Sequence, residues 1–223
     1  MPQDISGYDV GALLYCPANA HHTVAQAVAA ERLPRPFSLA LCLEDTVRAD
    51  ALAAAEQAVE QTLHDLTDTA RQETFYRPLT FVRVRSPEQL ARLGRAYGKY
   101  RPLLTGFILP KFFIETCGAY CAVIRDLQAD GLDYFYMPVF EAPSMLPLHT
   151  RHAALAEVKA QLDALRECIL NIRVGGNDLC HVFGLRRDPG HTIYDLRPVA
   201  DVLTDLLTTF APDYLVAGPV RGY

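Results

Sequence analysis

Short apolar runs separated by longer amphipathic stretches recur along the whole chain, and this alternation restricts the fold more than any other feature of the sequence. The runs are residues 11–15 (GALLY), 37–43 (FSLALCL), 79–84 (LTFVRV), 105–109 (TGFIL), 132–139 (LDYFYMPV), 168–174 (CILNIRV) and 213–217 (DYLVA). Each has the length of a strand, and none alternates polar with apolar, so each is expected to be buried on both faces. The stretches between them read as helices. Residues 50–71 place Leu52, Ala55, Val59, Leu63 and Leu66 three and four apart. Ser86-Pro87-Glu88-Gln89 is a helix start, with a capping serine, a proline in the first turn and a glutamine at the third helical position. Residues 115–129, 153–165 and 196–210 continue the pattern, and Ala211-Pro212 closes the last of them.

A strand followed each time by a long crossover gives a parallel sheet covered by helices, either open and doubly wound or closed into a barrel. The turn after the first run, Cys16-Pro17-Ala18-Asn19, is not the glycine-rich turn of the nucleotide-binding open sheet. The expectation is an α/β fold of the (β/α)8 barrel type, a single domain over residues 1–223, with seven strands visible. A last β/α unit is expected beyond Gly218-Pro219-Val220-Arg221-Gly222-Tyr223, so the chain is expected to be a fragment or to close its barrel with a partner.

Half of the 223 residues are hydrophobic, enough for one sizeable core. The net charge is −5 and the arginines and lysines are scattered, which argues against nucleic acid as a partner and suits a small carboxylate substrate. Cys16, Cys42, Cys117, Cys121, Cys168 and Cys180 lie mostly within apolar stretches. Cys117 and Cys121 are one helical turn apart, with no second pair to complete a zinc site. No run of about 18 apolar residues occurs, and the N-terminus lacks a basic region followed by an apolar one. The expectation is a cytoplasmic protein with reduced thiols and no membrane partner.

Ligands of such folds sit at the carboxyl ends of the strands. The charged residues there are Glu44 and Asp45 after the second run, Arg83 and Arg85 in and after the third, Lys111 after the fourth, Glu141 after the fifth, and Asn177 and Asp178 after the sixth. Glu141 and Asp178 follow different strands. Two carboxylates converging above a sheet leave a negative field that a hard divalent cation would neutralise. The same residues have plainer roles open to them: Asp178 as a helix cap, Glu141 as a partner for Lys111 or Arg83. Arg83, inside an apolar run, needs a partner, which is either a substrate carboxylate or Glu44 or Asp45. Gly175 and Gly176 allow close ligand approach or simply a tight turn. His21, His22 and His181 are possible general bases or surface residues.

These strand ends resemble, in order, the motifs of the citrate lyase beta subunit and HpcH/HpaI aldolase superfamily, above all its C–C bond lyase branch found near tellurite-resistance genes. LLYCPAN (13–19) is similar to LLFVPGN, LALCLEDTVRAD (39–50) to the DLEDAV motif, and FVRVRS (81–86) to the VRVN segment. GFILPK (106–111) is similar to GIVLPK. PVFEAPSML (138–146) resembles the strand bearing a metal-binding glutamate, and GGNDLCHVFGLRRD (175–188) the motif of the second metal ligand. The resemblance implies a metal-dependent lyase or aldolase acting on a 2-keto acid or related carboxylate. It makes Glu141 and Asp178 the ligands of Mg2+, with Mn2+ as a substitute. Arg83, Glu44 and Asp45 become catalytic, and Arg83, Lys111, Asn19 and Gly176 line the substrate. A coenzyme A thioester substrate and a homo-oligomer are also implied. Arg85 stands where the family has asparagine, Ala142 where it has threonine and Ala18 where it has glycine. The alternative expectation is a non-catalytic barrel with a binding or regulatory role in a stress-response complex.

Overall fold

The computed structural model describes residues 5–218 except 34, 73 and 189, and for residues 21 and 22 the backbone alone. Among the described residues seven strands alternate with seven α-helices, and the strands follow one another in chain order, β1 to β7. This is the α/β arrangement of seven parallel strands that the alternation of runs predicts; a closed barrel of this type has eight. The final GPVRGY segment lies outside the described residues from residue 219 onward. By contact density the chain divides into two compact units, Met1–Ile108 with Val123–Phe135, and Leu109–Ala122 with Tyr136–Tyr223.

In the first unit, β1 (Ala12–Pro17), β2 (Phe37–Cys42), β3 (Thr80–Arg83) and β4 (Leu104–Leu109) pair in parallel. Helices α1 (His21–Ala29), α2 (Leu52–Gln72) and α3 (Pro87–Ala96) link or follow them. Every residue of β2 and β3 is buried, as the lack of alternation requires, whereas β1 is partly exposed along its length. The expected apolar stripe of α2 is buried through Ala55, Val59, Leu63 and Leu66. Ser86 caps α3 by accepting the Gln89 N–H at 3.3 Å. The Gln89 side chain does not close a capping box onto Ser86. Its Oε1 accepts the N–H of Arg85 at 2.7 Å instead, one residue earlier. Gly106 in β4 lies against the start of the fifth strand so tightly that a Cβ there would overlap the Phe135 carbonyl.

In the second unit, β5 (Phe135–Phe140, all but its first residue), β6 (Ile172–Val174) and β7 (Val216–Ala217) pair in parallel. The helices are α4 (Cys117–Ala129), which begins in this unit, α5 (Leu148–Asp163), α6 (Gly176–Val182) and α7 (Arg197–Phe210). Phe112, Phe113, Phe140 and Phe210 form one aromatic cluster, with ring centroids 5.0 to 6.2 Å apart. The sixth run is shorter as a strand than its apolar length suggests. Residues 166–168 form a single 3-10 turn, and Ile169 makes only an isolated bridge to Tyr136.

Candidate active site

In the first unit the site residues gather on the loop after β2. Arg83 closes β3 with its side chain largely buried, and its Nη2 lies 2.6 Å from Glu44 Oε2 and 3.2 Å from Asp45 Oδ2. Its guanidinium also faces the Tyr15 ring at 5.9 Å. Of the two partners left open by the sequence, the structure therefore supplies the internal carboxylates. Glu44 is nearly as buried as Arg83, while Asp45 is 52% exposed and faces solvent. Asn19 lies in the 3-10 turn after β1 and is exposed.

In the second unit the register of β5 with β6 pairs Phe140 with Val174, which sets Glu141 beside Gly175. The Gly175 N–H donates to the Phe140 carbonyl at 3.1 Å. Glu141 is only 2% exposed. A Cβ on Gly175 would overlap Glu141 Oε2, so the glycine leaves the space that the carboxylate fills. Glu141 Oε1 accepts the backbone N–H of Lys111 at 3.1 Å. Lys111 itself has φ +49, a left-handed conformation. Its main-chain N–H thus takes part here, which side-chain reasoning did not anticipate.

Asp178 is half-buried in the first turn of α6, three residues beyond Gly175. Gly175 itself is the N-cap and no side chain caps the helix, so Asp178 is not the capping residue. A carboxylate in a first turn is favoured by the helix dipole. Gly176, buried, begins the helix. His181 lies at its last turn, and the side chains of His21 and His22 are outside the described residues.

Two arginines tie down the loops that bear these carboxylates. Arg85 donates from Nε to the Leu43 carbonyl at 2.6 Å, and from Nη2 to the carbonyls of Glu44 and Val47. Arg151, wholly buried in α5, donates to the carbonyls of Met145 and Leu146, just after Glu141, and pairs with Asp205 of α7 at 2.8 Å. Neither role has a sequence signature, since the acceptors are main-chain oxygens.

Residues 4–223 match the family described as C–C bond lyase of the TIM-barrel fold. The chain belongs to this family. Among solved structures, the protein CitE from Mycobacterium tuberculosis in complex with magnesium, acetoacetate and coenzyme A is 20% identical, with a TM-score of 0.61 over 94% of this chain and 65% of that one. CitE from the same organism in complex with magnesium and acetate is 21% identical, with a TM-score of 0.60 over 94% of this chain and 73% of that one. The family member described here thus spans a little under two thirds of the first, and at these identities the likeness is one of fold. Comparison with curated proteins found no match.

Among the described residues no three His, Cys, Asp or Glu side chains converge on a metal-sized position. One or two carboxylates, with water completing the shell, suffice to hold magnesium. That donor set suits this ion, which prefers oxygen and keeps several waters. The buried Glu141 carboxylate, cradled over Gly175, fits such a ligand.

Proposed function

We propose that the protein is a magnesium-dependent carbon–carbon bond lyase or aldolase acting on a 2-keto acid or a related carboxylate. The observation that carries this reading is Glu141, a carboxylate buried at the end of β5, oriented by a main-chain N–H and given room by a glycine. A carboxylate oxygen at a strand end is the kind of ligand that magnesium prefers. Glu141 and Asp178 would hold Mg2+, or Mn2+ in its place. When bound, the ion would act as a Lewis acid toward the substrate's keto oxygen. Arg83, already oriented by Glu44 and Asp45, would bind the substrate carboxylate and offset negative charge as the bond breaks and the electron pair passes into the enolate. Asn19, Lys111 and Gly176 would line the substrate. Asp45, the more exposed carboxylate of the pair on Arg83, would exchange that contact for substrate.

The motif resemblance also supports the branch near tellurite-resistance genes, a coenzyme A thioester as a possible acyl partner, a cytoplasmic setting, a single domain and a homo-oligomer. No helix among the described residues is long and apolar enough to cross a membrane. Calorimetric titration with Mg2+ and a lyase assay with oxaloacetate or a pyruvate-derived aldol test the reading. Asp178→Ala and Glu141→Gln are expected to keep the fold and lose at least about tenfold in metal affinity, together with turnover. Wild-type protein that ignores millimolar Mg2+, or Asp178→Ala that binds it as well as wild type, would leave the non-catalytic binding role instead.

A further inference from the structure

We infer that Arg85 is a positioning residue, whose guanidinium sets the shape of the β2 loop and through it the direction of Arg83. The inference rests on the reading above that this loop belongs to the site. One planar fork reaches three main-chain carbonyls, those of Leu43, Glu44 and Val47, within a five-residue turn. The three residues between Arg85's outer acceptors include Glu44 and Asp45, whose carboxylates hold Arg83. The loop is thus gripped twice: its carbonyls by Arg85 and its carboxylates by Arg83. Its start is joined to the same strand end, since the Leu43 N–H donates to the Arg83 carbonyl at 3.0 Å.

Arg85 is itself anchored. Its N–H donates to Gln89 Oε1, Gln89 Nε2 donates to Glu56 Oε1 at 2.6 Å, and Glu56 pairs with Arg92 at 2.6 Å. A chain of contacts therefore runs from α2 and α3 through Arg85 to the loop. Asparagine, the residue expected here from the resemblance, has a shorter side chain and two donors on a single nitrogen. Lysine carries a point charge in place of a fork. Neither matches the planar fork with which Arg85 reaches these carbonyls from Nε and Nη2.

The test uses the full chain with Arg85→Lys and Arg85→Asn, read by 1H–15N spectra of the arginine Nε–H groups and by amide hydrogen exchange. The Val47 N–H, bonded to the Glu44 carbonyl at 3.3 Å, reports the turn. In both variants the Arg83 Nε–H resonance is expected to shift and Val47 exchange to quicken about tenfold, as for the loss of a supporting hydrogen bond. The Arg151 Nε–H resonance and exchange in α7 are expected to stay unchanged. A general loss of stability would move Arg83 and Arg151 together, and that outcome overturns the inference. So does an Arg83 resonance that stays in place with Val47 exchange unaltered. Failure of wild-type protein to bind Mg2+ or cleave a keto acid would sink the proposed function alone, since these spectra need no turnover.

Discussion

A methyl group at Gly175 would overlap Glu141 Oε2 and lie 2.6 Å from the Glu141 Cβ. The glutamate side chain is held on its other side by the Lys111 N–H, so it has little freedom to withdraw. Gly175→Ala is therefore expected to cost about 1–3 kcal/mol of stability by overpacking and to weaken Mg2+ binding more than that loss alone explains. Urea denaturation and calorimetric titration of the same preparation would check both; an alanine variant with wild-type metal affinity would contradict it. At this scale the sequence was informative for Arg83, whose need of a charged partner inside an apolar run is met by Glu44 and Asp45. It was silent where the acting atom is a main-chain one. The Lys111 N–H reaches the Glu141 carboxylate, and Arg85 acts on carbonyls that any residue would supply.

Among the elements, the loop between β5 and α5 depends on Arg151. Its removal leaves two loop carbonyls without their donor and Asp205, itself mostly buried, without its arginine. Arg151→Ala is expected to lose about 3–5 kcal/mol, as for breaking a buried ion pair, measurable by urea denaturation. In the other unit Glu56 joins α2 to α3. Burial opposes its ionisation, but hydrogen bonds from Arg92 and Gln89 outweigh that and hold its pKa below the ordinary carboxylate value of 4.5. Because the folded value lies below the unfolded one, its stabilisation is complete above about pH 4.5 and fades as pH falls through the lowered value. Glu56→Gln should thus be less stable than wild type by about 1 kcal/mol at neutral pH, with the two curves converging under acid. A constant gap across pH would refute that assignment. The amphipathic helices α2, α3, α4, α5 and α7 were legible from spacing and caps. Helix α1 was not, because Ala20 offers no capping side chain, and α6 begins at Gly176, before the Asp178 that the sequence offered as its cap. Contacts with α7 and the burial of Leu179 and Cys180 supply what local propensity lacks.

For the whole molecule, all six cysteines are free, five of them buried and Cys16 partly so. Burial raises the Cys16 thiol pKa and slows its reaction. Titration with a thiol reagent should find one slowly reacting group in the native protein, lost in Cys16→Ser, and six under denaturant. More than one rapidly reacting native thiol would contradict the burial described here. By itself the sequence determined the order of elements, the parallel sheet and the carboxylates at its strand ends. The physical reason is that apolar run length and helical spacing are local properties that burial on both faces demands. Tertiary structure alone decided which partner Arg83 takes, how Glu141 is held, and which arginines fix the loops. Those outcomes depend on register and on main-chain donors and acceptors, groups that every residue carries and only the folded chain brings together.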